Sequence, residues 1–219
     1  MENKNLKFEI KNRIAYLKLS SPPKNEMSNL FFSELSDIVE NKLKDNKEIS
    51  ALIILSEGRH FSSGANIDEL LSYFHGLKGE IPPSVLQNCR SFYEISQMPY
   101  PVVACVRGVC FGAAFELALF AHYRISTQGA LFALPESSFD LLPGLGGIQN
   151  MYICSGKAKT IEYCLTGKNI SANEAKEVGL IDMIVPKNEI VSTAVELIES
   201  LPVKHFKELK KVYLKEFLN

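Results

Sequence analysis

Two glutamates stand in apolar surroundings, where a carboxylate is costly to bury unless it has a purpose. Glu116 is the only charged residue between positions 109 and 121, and Glu136 follows the apolar segment 132–135. Burial raises the pKa of a carboxyl group, and two carboxyl groups in one apolar site divide into an acid and a base. The pair could therefore perform general acid–base chemistry. Taken singly, Glu116 could be an ordinary first-turn helix charge and Glu136 a solvated loop residue.

Three segments of small residues could bring backbone N–H groups close to a ligand. They are residues 61–68 (FSSGANID), 108–117 (GVCFGAAFEL) and 142–147 (LPGLGG). The second runs from an apolar strand into the start of a helix, where unpaired N–H groups and the positive end of the helix dipole favour a developing anion. In isolation, the first could be a plain strand-to-helix turn with an asparagine near the helix cap. The second could be a close packing contact.

Cysteine and metal chemistry receive no support from residue spacing. The five cysteines share no CxxC pattern and lie mostly in apolar runs, which is typical of reduced core residues in a cytosolic protein. None of the four histidines is paired locally with a cysteine. No His, Cys or carboxylate set recurs at ligand spacing, so we expect no metal site.

Composition indicates one globular domain without an attraction for nucleic acid or membranes. The chain has 219 residues, of which 46% are hydrophobic and 22% charged, and its formal net charge is −1. Such a balance gives no reason to expect binding to nucleic acid or to an anionic membrane. The first seven residues lack the apolar run of a signal peptide, and no apolar stretch is long enough to cross a bilayer. We therefore expect a cytoplasmic protein.

Apolar runs and periodicity predict alternating strands and helices. A hairpin is expected over 8–10 and 14–19, and a helix is expected to begin after Ser28 as its N-cap. Buried strands are predicted at 51–55 and 102–106, and further strands at 122–126 and 131–134. The predicted helices cover 84–96, 112–121, 148–154, 158–165, 172–178 and the region from 188 onward. This order predicts an α/β domain with parallel strands and a helical C-terminal portion. The segment 73–83 is predicted to be a mobile loop.

Taken together, the three small-residue segments and the two glutamates resemble the crotonase (enoyl-CoA hydratase/isomerase) superfamily. The family patterns FxAGADI, GxxxGGGxEL and PExxxGxxPGxGG map onto residues 61–67, 108–117 and 135–147, and the resemblance extends over about residues 6–200. It implies a crotonase-like spiral core of ββα turns over residues 1–186. A short helical C-terminal segment, 187–219, would follow without an independent second domain.

The resemblance also implies the residues of the site. The backbone N–H groups of Ala65 and Ala113 would form an oxyanion hole for the thioester oxygen, with Ala113 replacing the more usual glycine. Glu116 and Glu136 would be the catalytic carboxyl groups, and which is acid and which base stays open at this point. The remaining positions expected to bind substrate are Lys24, Ser63, Gly64, Ile67, Gly112, Pro143 and Gly144.

Retention of both glutamates favours hydration of a 2-enoyl-CoA, within fatty acid metabolism, with coenzyme A as part of the substrate and no separate cofactor. An isomerase or decarboxylase is the alternative, and acyl carrier protein is the alternative carrier. Asp68 stands where many relatives carry a lysine near the coenzyme A phosphates, and the final helices typical of the family are expected to be missing. These two departures motivate a third possibility, a catalytically silent subunit that binds thioesters or a partner.

The family also implies self-assembly. An apolar stripe with lysines on its other side is expected near the end of the chain. Left uncovered, this stripe would be a larger apolar patch than a monomer usually tolerates, so we expect a homotrimer or hexamer. The residues of the stripe are Phe206, Leu209, Val212, Tyr213 and Phe217.

Overall fold

Strands arranged in two sheets form the frame of the computed structural model, which describes residues 5–74, 83–202, 205–206 and 208–209. In the described part, the larger sheet has the strand order β1-β2-β3-β4-β6-β9 and the smaller has the order β5-β7-β8. The strands are β1 (Leu6–Lys11), β2 (Ile14–Leu19), β3 (Ala51–Ser56), β4 (Val102–Val106), β5 (Val109–Phe111), β6 (Tyr123–Thr127), β7 (Leu131–Ala133), β8 (Ile170–Ser171) and β9 (Met183–Val185).

The predicted hairpin and buried strands are confirmed. Strands β1 and β2 pair antiparallel with Leu6 opposite Leu19, across a two-residue loop whose residues Asn12 and Arg13 both have positive φ. That conformation matches the right-handed twist of the flanking strands. Strands β2, β3, β4, β6 and β9 then follow in parallel register. Every residue of β4 is buried, as expected of a parallel strand covered on both faces.

Most helices lie at nearly the predicted positions. The helices are α1 (Asn29–Ile38), which continues into a π-helical turn (Val39–Leu43), α2 (Ile67–Phe74), α3 (Pro83–Ser96), α4 (Ala113–Leu119), a 3-10 turn (Pro135–Phe139), α5 (Gly147–Thr166), α6 (Ala172–Glu177) and α7 (Ile190–Ser200). Helix α2 was not predicted, and its end extends into the segment predicted to be a mobile loop. The hydroxyl of Ser28 accepts a hydrogen bond from the Phe31 N–H and caps α1 as predicted. The two helices predicted at 148–154 and 158–165 are the two halves of α5, which breaks at Gly156.

The crotonase-like spiral of ββα turns is confirmed. Strand β4 belongs to the large sheet, β5 to the small sheet, and α4 follows them. Strands β6 and β7 repeat this order before the 3-10 turn and α5. The turn that begins with β3 follows the same order. After β3 in the large sheet, Ser62 forms a bridge with Cys110 of the small sheet, and α2 then begins. Each turn therefore leaves the small sheet directly before a helix, so the helix N-termini gather on one side.

The large sheet separates two apolar layers. Its residues alternate between faces, so that Leu52 and Ile54 join the main core while Ile53 joins a second cluster with Cys105. Helix α7 covers the second cluster with its buried face. In the described part of the chain, no helix is long and apolar enough to span a membrane. Most of the predicted mobile loop, residues 75–82, and the chain from 210 onward lie outside the described residues.

Candidate active site

A cavity of about 130 Å³ opens where the helix N-termini meet. Its apolar wall comes from α1, α2, α3 and the turn before α5, and it includes Met27, Phe32, Leu70, Val85, Leu141, Leu142 and Leu145. The predicted site residues that line it are Ser63, Gly64, Ala65, Ile67, Gly112, Ala113, Glu116, Glu136 and Gly144. The fold thus brings residues from three separate turns of the spiral to one place.

Two predicted substrate-binding residues do not line this cavity. Lys24 is exposed, and it is linked to the site through its carbonyl oxygen, which accepts a hydrogen bond from the Ser63 N–H (2.9 Å). Pro143 is buried within the turn that precedes α5. Asp68, in the first turn of α2, is exposed and also lies outside the lining.

The N–H of Ala65 is oriented by hydrogen bonds on either side of it. The Met27 N–H donates to the Gly64 carbonyl oxygen (2.9 Å), and the Asn66 N–H donates to the Met27 carbonyl oxygen (3.1 Å). Because the C=O and N–H of a trans peptide point in opposite directions, the Gly64–Ala65 peptide directs its N–H away from Met27. This N–H donates to no acceptor in the part of the chain that the structure describes.

The N–H of Ala113 is the first of helix α4. Gly112, with φ of 52°, precedes the helix, and its own N–H donates to the Ala133 carbonyl oxygen (2.9 Å). A helix leaves its first N–H groups without intrahelical partners, and none of the described residues accepts from the Ala113 N–H. That group is therefore available to an oxygen atom in the cavity.

Gly64 allows the two amide-bearing segments to approach each other. A methyl group at this position would lie 2.6 Å from the Phe111 carbonyl oxygen and 3.7 Å from the Ala113 nitrogen. Its φ of 97° is also one that residues with a side chain rarely adopt. Any other residue would push the segment carrying Ala65 away from α4.

Glu116 is buried and held in place by backbone donors. Its Oε1 accepts hydrogen bonds from the N–H groups of Leu145 and Gly147, both at 2.9 Å. Burial raises the pKa of Glu116 to about 7, and the two amide hydrogen bonds act in the opposite direction. Sequence reasoning missed Leu145 and Gly147 as donors. The signal was the double glycine before α5, since a methyl group on Gly147 would lie 2.6 Å from Glu116 Cγ.

Glu136 lies in the first turn of the 3-10 helix and has a different environment. Its Oε2 is buried and has no hydrogen-bond partner among the described residues. Burial raises the pKa of Glu136 to about 8, the nearby carboxylate of Glu116 adds to the increase, and a hydrogen bond from the backbone N–H of Glu136 itself acts in the opposite direction. Its Oε1 closely approaches Gly112, where a methyl group would lie 3.0 Å from it. The carboxyl group therefore faces the start of α4.

The two carboxyl groups are suited to different protonation states. Glu116 has two donors that stabilise its charged form, whereas the buried Oε2 of Glu136 has none. Near neutral pH this arrangement favours one shared proton that resides on Glu136. A charged acceptor and a proton donor then line one cavity together with Ala65 and Ala113, whose N–H groups have no acceptor among the described residues. Such a constellation can activate a water or remove a proton next to a polarised carbonyl group.

Polar residues at the cavity wall form a network that sequence reasoning did not identify. Asn66 Nδ2 donates to Glu26 Oε2 (2.9 Å), and Asn66 Oδ1 accepts from the Glu69 N–H (2.9 Å). Glu69 Oε2 in turn accepts from the Asn29 N–H (2.6 Å). The sequence signal was Asn66 directly before a helix, and Asn66 does cap α2, as the alternative interpretation of this segment supposed.

The described residues contain neither a candidate metal site nor a cysteine in an activating environment. There, no group of three or more His, Cys, Asp or Glu side chains is placed to hold a metal ion. The five cysteines are unpaired, and Cys105, Cys110 and Cys164 are buried. Burial raises the pKa of the Cys110 and Cys164 thiols, which opposes formation of a reactive thiolate.

A family model and several sequence relatives match the chain. A model of the family "Enoyl-CoA hydratase/isomerase" matches residues 9–218. The chain is 33% identical over 172 residues to a probable enoyl-CoA hydratase of Bacillus subtilis, covering 78% of this chain and 65% of the relative. It is 34% identical over 179 residues to the peroxisomal bifunctional enzyme of Danio rerio, covering 82% of this chain and 24% of the relative. The chain thus spans less than two thirds of either relative's length.

Solved structures share the fold. A putative enoyl-CoA hydratase from Thermobifida fusca in complex with CoA superposes with a TM-score of 0.86 at 26% identity, covering 99% of this chain and 87% of the other. The same organism's putative hydratase in complex with acetoacetyl-CoA gives a TM-score of 0.86 at 26% identity, covering 99% and 89%. The family match over nearly the whole chain, together with this likeness, shows that the chain belongs to the enoyl-CoA hydratase/isomerase family of the crotonase superfamily.

Proposed function

We propose that the chain adds water across the double bond of a 2-enoyl-CoA thioester. The observation that carries the proposal is the pair Glu116 and Glu136, which line the same cavity as Ala65 and Ala113. A buried Glu136 oxygen without a donor lowers stability. Its retention is better explained by catalysis than by a silent binding role.

The two N–H groups would bind the thioester oxygen. As water attacks C3 of the substrate, the electron pair of the double bond moves onto that oxygen and forms an enolate. Donors fixed before the reaction stabilise this charge more than they stabilise the neutral carbonyl group, and one such donor is worth about 3–4 kcal/mol of transition-state stabilisation. The methyl group of Ala113 narrows the space above its amide without removing the donor.

The two glutamates would divide the proton transfers. Ionised Glu116, whose charge is stabilised by the amides of Leu145 and Gly147, removes a proton from the attacking water. Neutral Glu136, whose pKa is raised by burial and by the Glu116 charge, delivers its proton to C2 of the enolate. The pair ends the reaction with its proton on the opposite glutamate and returns to the starting state by exchange with solvent.

Coenzyme A is the carrier that we propose, and fatty acid metabolism is the setting. Support comes from the family and from the Thermobifida fusca relatives solved with CoA and acetoacetyl-CoA. Lys24 adjoins the cavity through its hydrogen bond with Ser63 and offers a cation for the phosphates. The negative charge of Asp68, which is exposed on α2, would repel these phosphates.

We also propose that the chain assembles as a homotrimer or hexamer. In the described part of the predicted apolar stripe, Leu209 is 61% exposed, whereas Phe206 is half-buried and packs its ring against His122. Helix α5 adds exposed apolar side chains that a monomer would leave in water. They are Tyr152, Ile153, Ile161 and Leu165.

A product assay tests the reaction and the carrier together. Matched 2-enoyl, 3-enoyl and 3-carboxyacyl groups are offered on coenzyme A and on acyl carrier protein, and the products are analysed by mass spectrometry. We expect a gain of one water from the 2-enoyl-CoA. An unchanged mass with a shifted double bond would indicate an isomerase, a loss of carbon dioxide would indicate a decarboxylase, and a preference for carrier protein would overturn the proposed carrier.

A further inference from the structure

Two short segments are tied together beside Ala65 by side-chain hydrogen bonds. Residues 26–29 lead into α1, and residues 66–69 form the start of α2. Glu26 and Asn29 each bond to the second segment, through Asn66 and Glu69 respectively. Met27 lies between these two attachments and forms a parallel bridge with Ala65.

We call these contacts between residues 26–29 and residues 66–69 the clamp. The clamp fixes the peptide that carries the Ala65 N–H. The Met27 N–H holds the Gly64 carbonyl oxygen, which belongs to the same peptide plane. If Met27 moved along the chain direction or away from Ala65, the plane could rotate and redirect its N–H. The side-chain bonds on either side of Met27 oppose both movements.

Asn66 is the residue on which the clamp depends, because it uses both ends of its amide. Its Nδ2 donates to Glu26, while its Oδ1 caps helix α2 by accepting from the Glu69 N–H. An aspartate would keep the capping oxygen but could not donate to Glu26, and the two carboxylates would repel each other. Asn66 and Glu26 therefore form a matched donor and acceptor.

We infer that Asn66 is a positioning residue for the oxyanion pair, acting with Glu26 to keep Met27 in register so that the Ala65 N–H points into the cavity. The inference rests on the proposed function, since it presupposes that this N–H binds the thioester oxygen. If the inference is right, activity and enolate stabilisation depend on one of positions 26 and 66 carrying a hydrogen-bond donor and the other an acceptor.

A donor–acceptor exchange provides the test. The variants are Asn66→Asp, which removes the donor, and Glu26→Gln with Asn66→Asp, in which the amide at 26 can donate to the carboxylate at 66. The matched control is Ser171→Ala, which removes the N-cap of α6, where the Ser171 hydroxyl accepts from the Glu174 N–H (3.2 Å). Circular dichroism and thermal melting report folding of each variant.

Bound acetoacetyl-CoA is the probe of the oxyanion pair. Its C2 proton passes to solvent and the electron pair moves onto the thioester oxygen, so the pH at which enolate absorbance appears reports how well the two N–H groups hold that charge. The kcat and KM for a 2-enoyl-CoA are measured beside it. This spectroscopic midpoint does not depend on whether the enzyme is a hydratase or an isomerase.

For Asn66→Asp we expect a kcat lowered by about 10- to 100-fold, the scale of a small misplacement at a reacting centre, with KM little changed. The pH at which half of the bound acetoacetyl-CoA is enolate should increase. In the double variant, both kcat and this pH should return most of the way to their wild-type values. Ser171→Ala should lower the melting temperature without changing either readout.

Two results would overturn the inference in distinguishable ways. A wild-type enzyme that binds acetoacetyl-CoA without favouring its enolate would refute the oxyanion pair itself, and the positioning role with it. A wild-type enzyme that favours the enolate, with Asn66→Asp equal to it or with no recovery in the double variant, would refute only the role of Asn66.

Discussion

Replacing Glu136 by glutamine should increase stability at alkaline pH while it abolishes most of the activity. In the folded protein, burial and the neighbouring Glu116 raise the pKa of Glu136 from 4.5 to about 8. A group with a raised folded pKa contributes stability that is fully present below its unfolded pKa and is lost as the pH rises through the folded value. The loss for Glu136 therefore develops between about pH 4.5 and pH 8.

The size of the effect follows from the difference between the two pKa values. An increase of 3.5 units, from 4.5 to about 8, corresponds to about 5 kcal/mol at about 1.4 kcal/mol per unit. The glutamine amide would itself be buried where Glu136 Oε2 finds no hydrogen-bond partner, which offsets part of this gain, so we expect a stability gain of about 2–4 kcal/mol for Glu136→Gln at pH 9. At pH 5 the carboxyl group is mostly neutral in the folded protein, and the gain should fall to about 1 kcal/mol or less.

Urea unfolding at pH 5, 7 and 9 measures this difference, and the exposed Glu196 on α7 provides the control variant Glu196→Gln. The same samples should show turnover of a 2-enoyl-CoA lowered by about 100-fold or more in Glu136→Gln, the scale of losing a general acid. A stability difference that stays constant between pH 5 and pH 9 would show that burial does not raise the pKa of Glu136. Near-wild-type turnover would remove the two-carboxylate mechanism.

Three further predictions concern the turn whose N–H groups bind Glu116, the pH profile and the assembly. Gly147→Ala should lower kcat by about tenfold or more and destabilise the fold by about 1–3 kcal/mol, because its methyl group would collide with Glu116 Cγ. The control Gly129→Ala adds a methyl group with no heavy atom within 4 Å. Its stability in urea unfolding should stay within about 1 kcal/mol of the wild-type value. The kcat should be highest between about pH 7 and pH 8, falling at lower pH as Glu116 gains a proton and at higher pH as Glu136 loses one, and a profile flat from pH 5 to pH 9 would contradict these roles. Light scattering at micromolar concentration should give the mass of a trimer or hexamer, and a monomer would contradict the proposed assembly.

The elements were predictable wherever local pattern and burial agree. The unbroken apolar run of β4 predicted a buried strand whose limits match the structure, and Ser28 predicted the start of α1. The break inside α5 was also predictable, since Gly156 interrupts the helical pattern between two apolar segments. In each case the signal lies within a few consecutive residues.

The site was predictable only as far as the resemblance reached. Glu116 and Glu136 were identified by their charge in apolar surroundings, but neither the donors to Glu116 nor the unpartnered oxygen of Glu136 follows from local sequence. Those features come from contacts between different turns of the spiral, with Glu116 and Gly147 separated by 31 positions. The network of Asn66 was missed for the same reason, because Glu26 lies 40 positions away.

The division of roles between the glutamates shows what the structure adds. Their surroundings in sequence are both apolar and left the acid and the base undecided. Two backbone donors at Glu116 and none at Glu136 Oε2 distinguish them, because a charged carboxylate gains more from such donors than a neutral one does. The proposed assignment therefore depends on tertiary contacts alone.

Reaction of a 2-enoyl-CoA in water enriched in both ¹⁸O and deuterium distinguishes hydration from the alternative reactions. We expect the wild-type enzyme to form a 3-hydroxyacyl-CoA with labelled oxygen at C3 and deuterium at C2, and we expect this product to be lost in both Glu116→Gln and Glu136→Gln. A product with deuterium but no labelled oxygen and a shifted double bond would contradict hydration, as would label incorporation that persists in both variants.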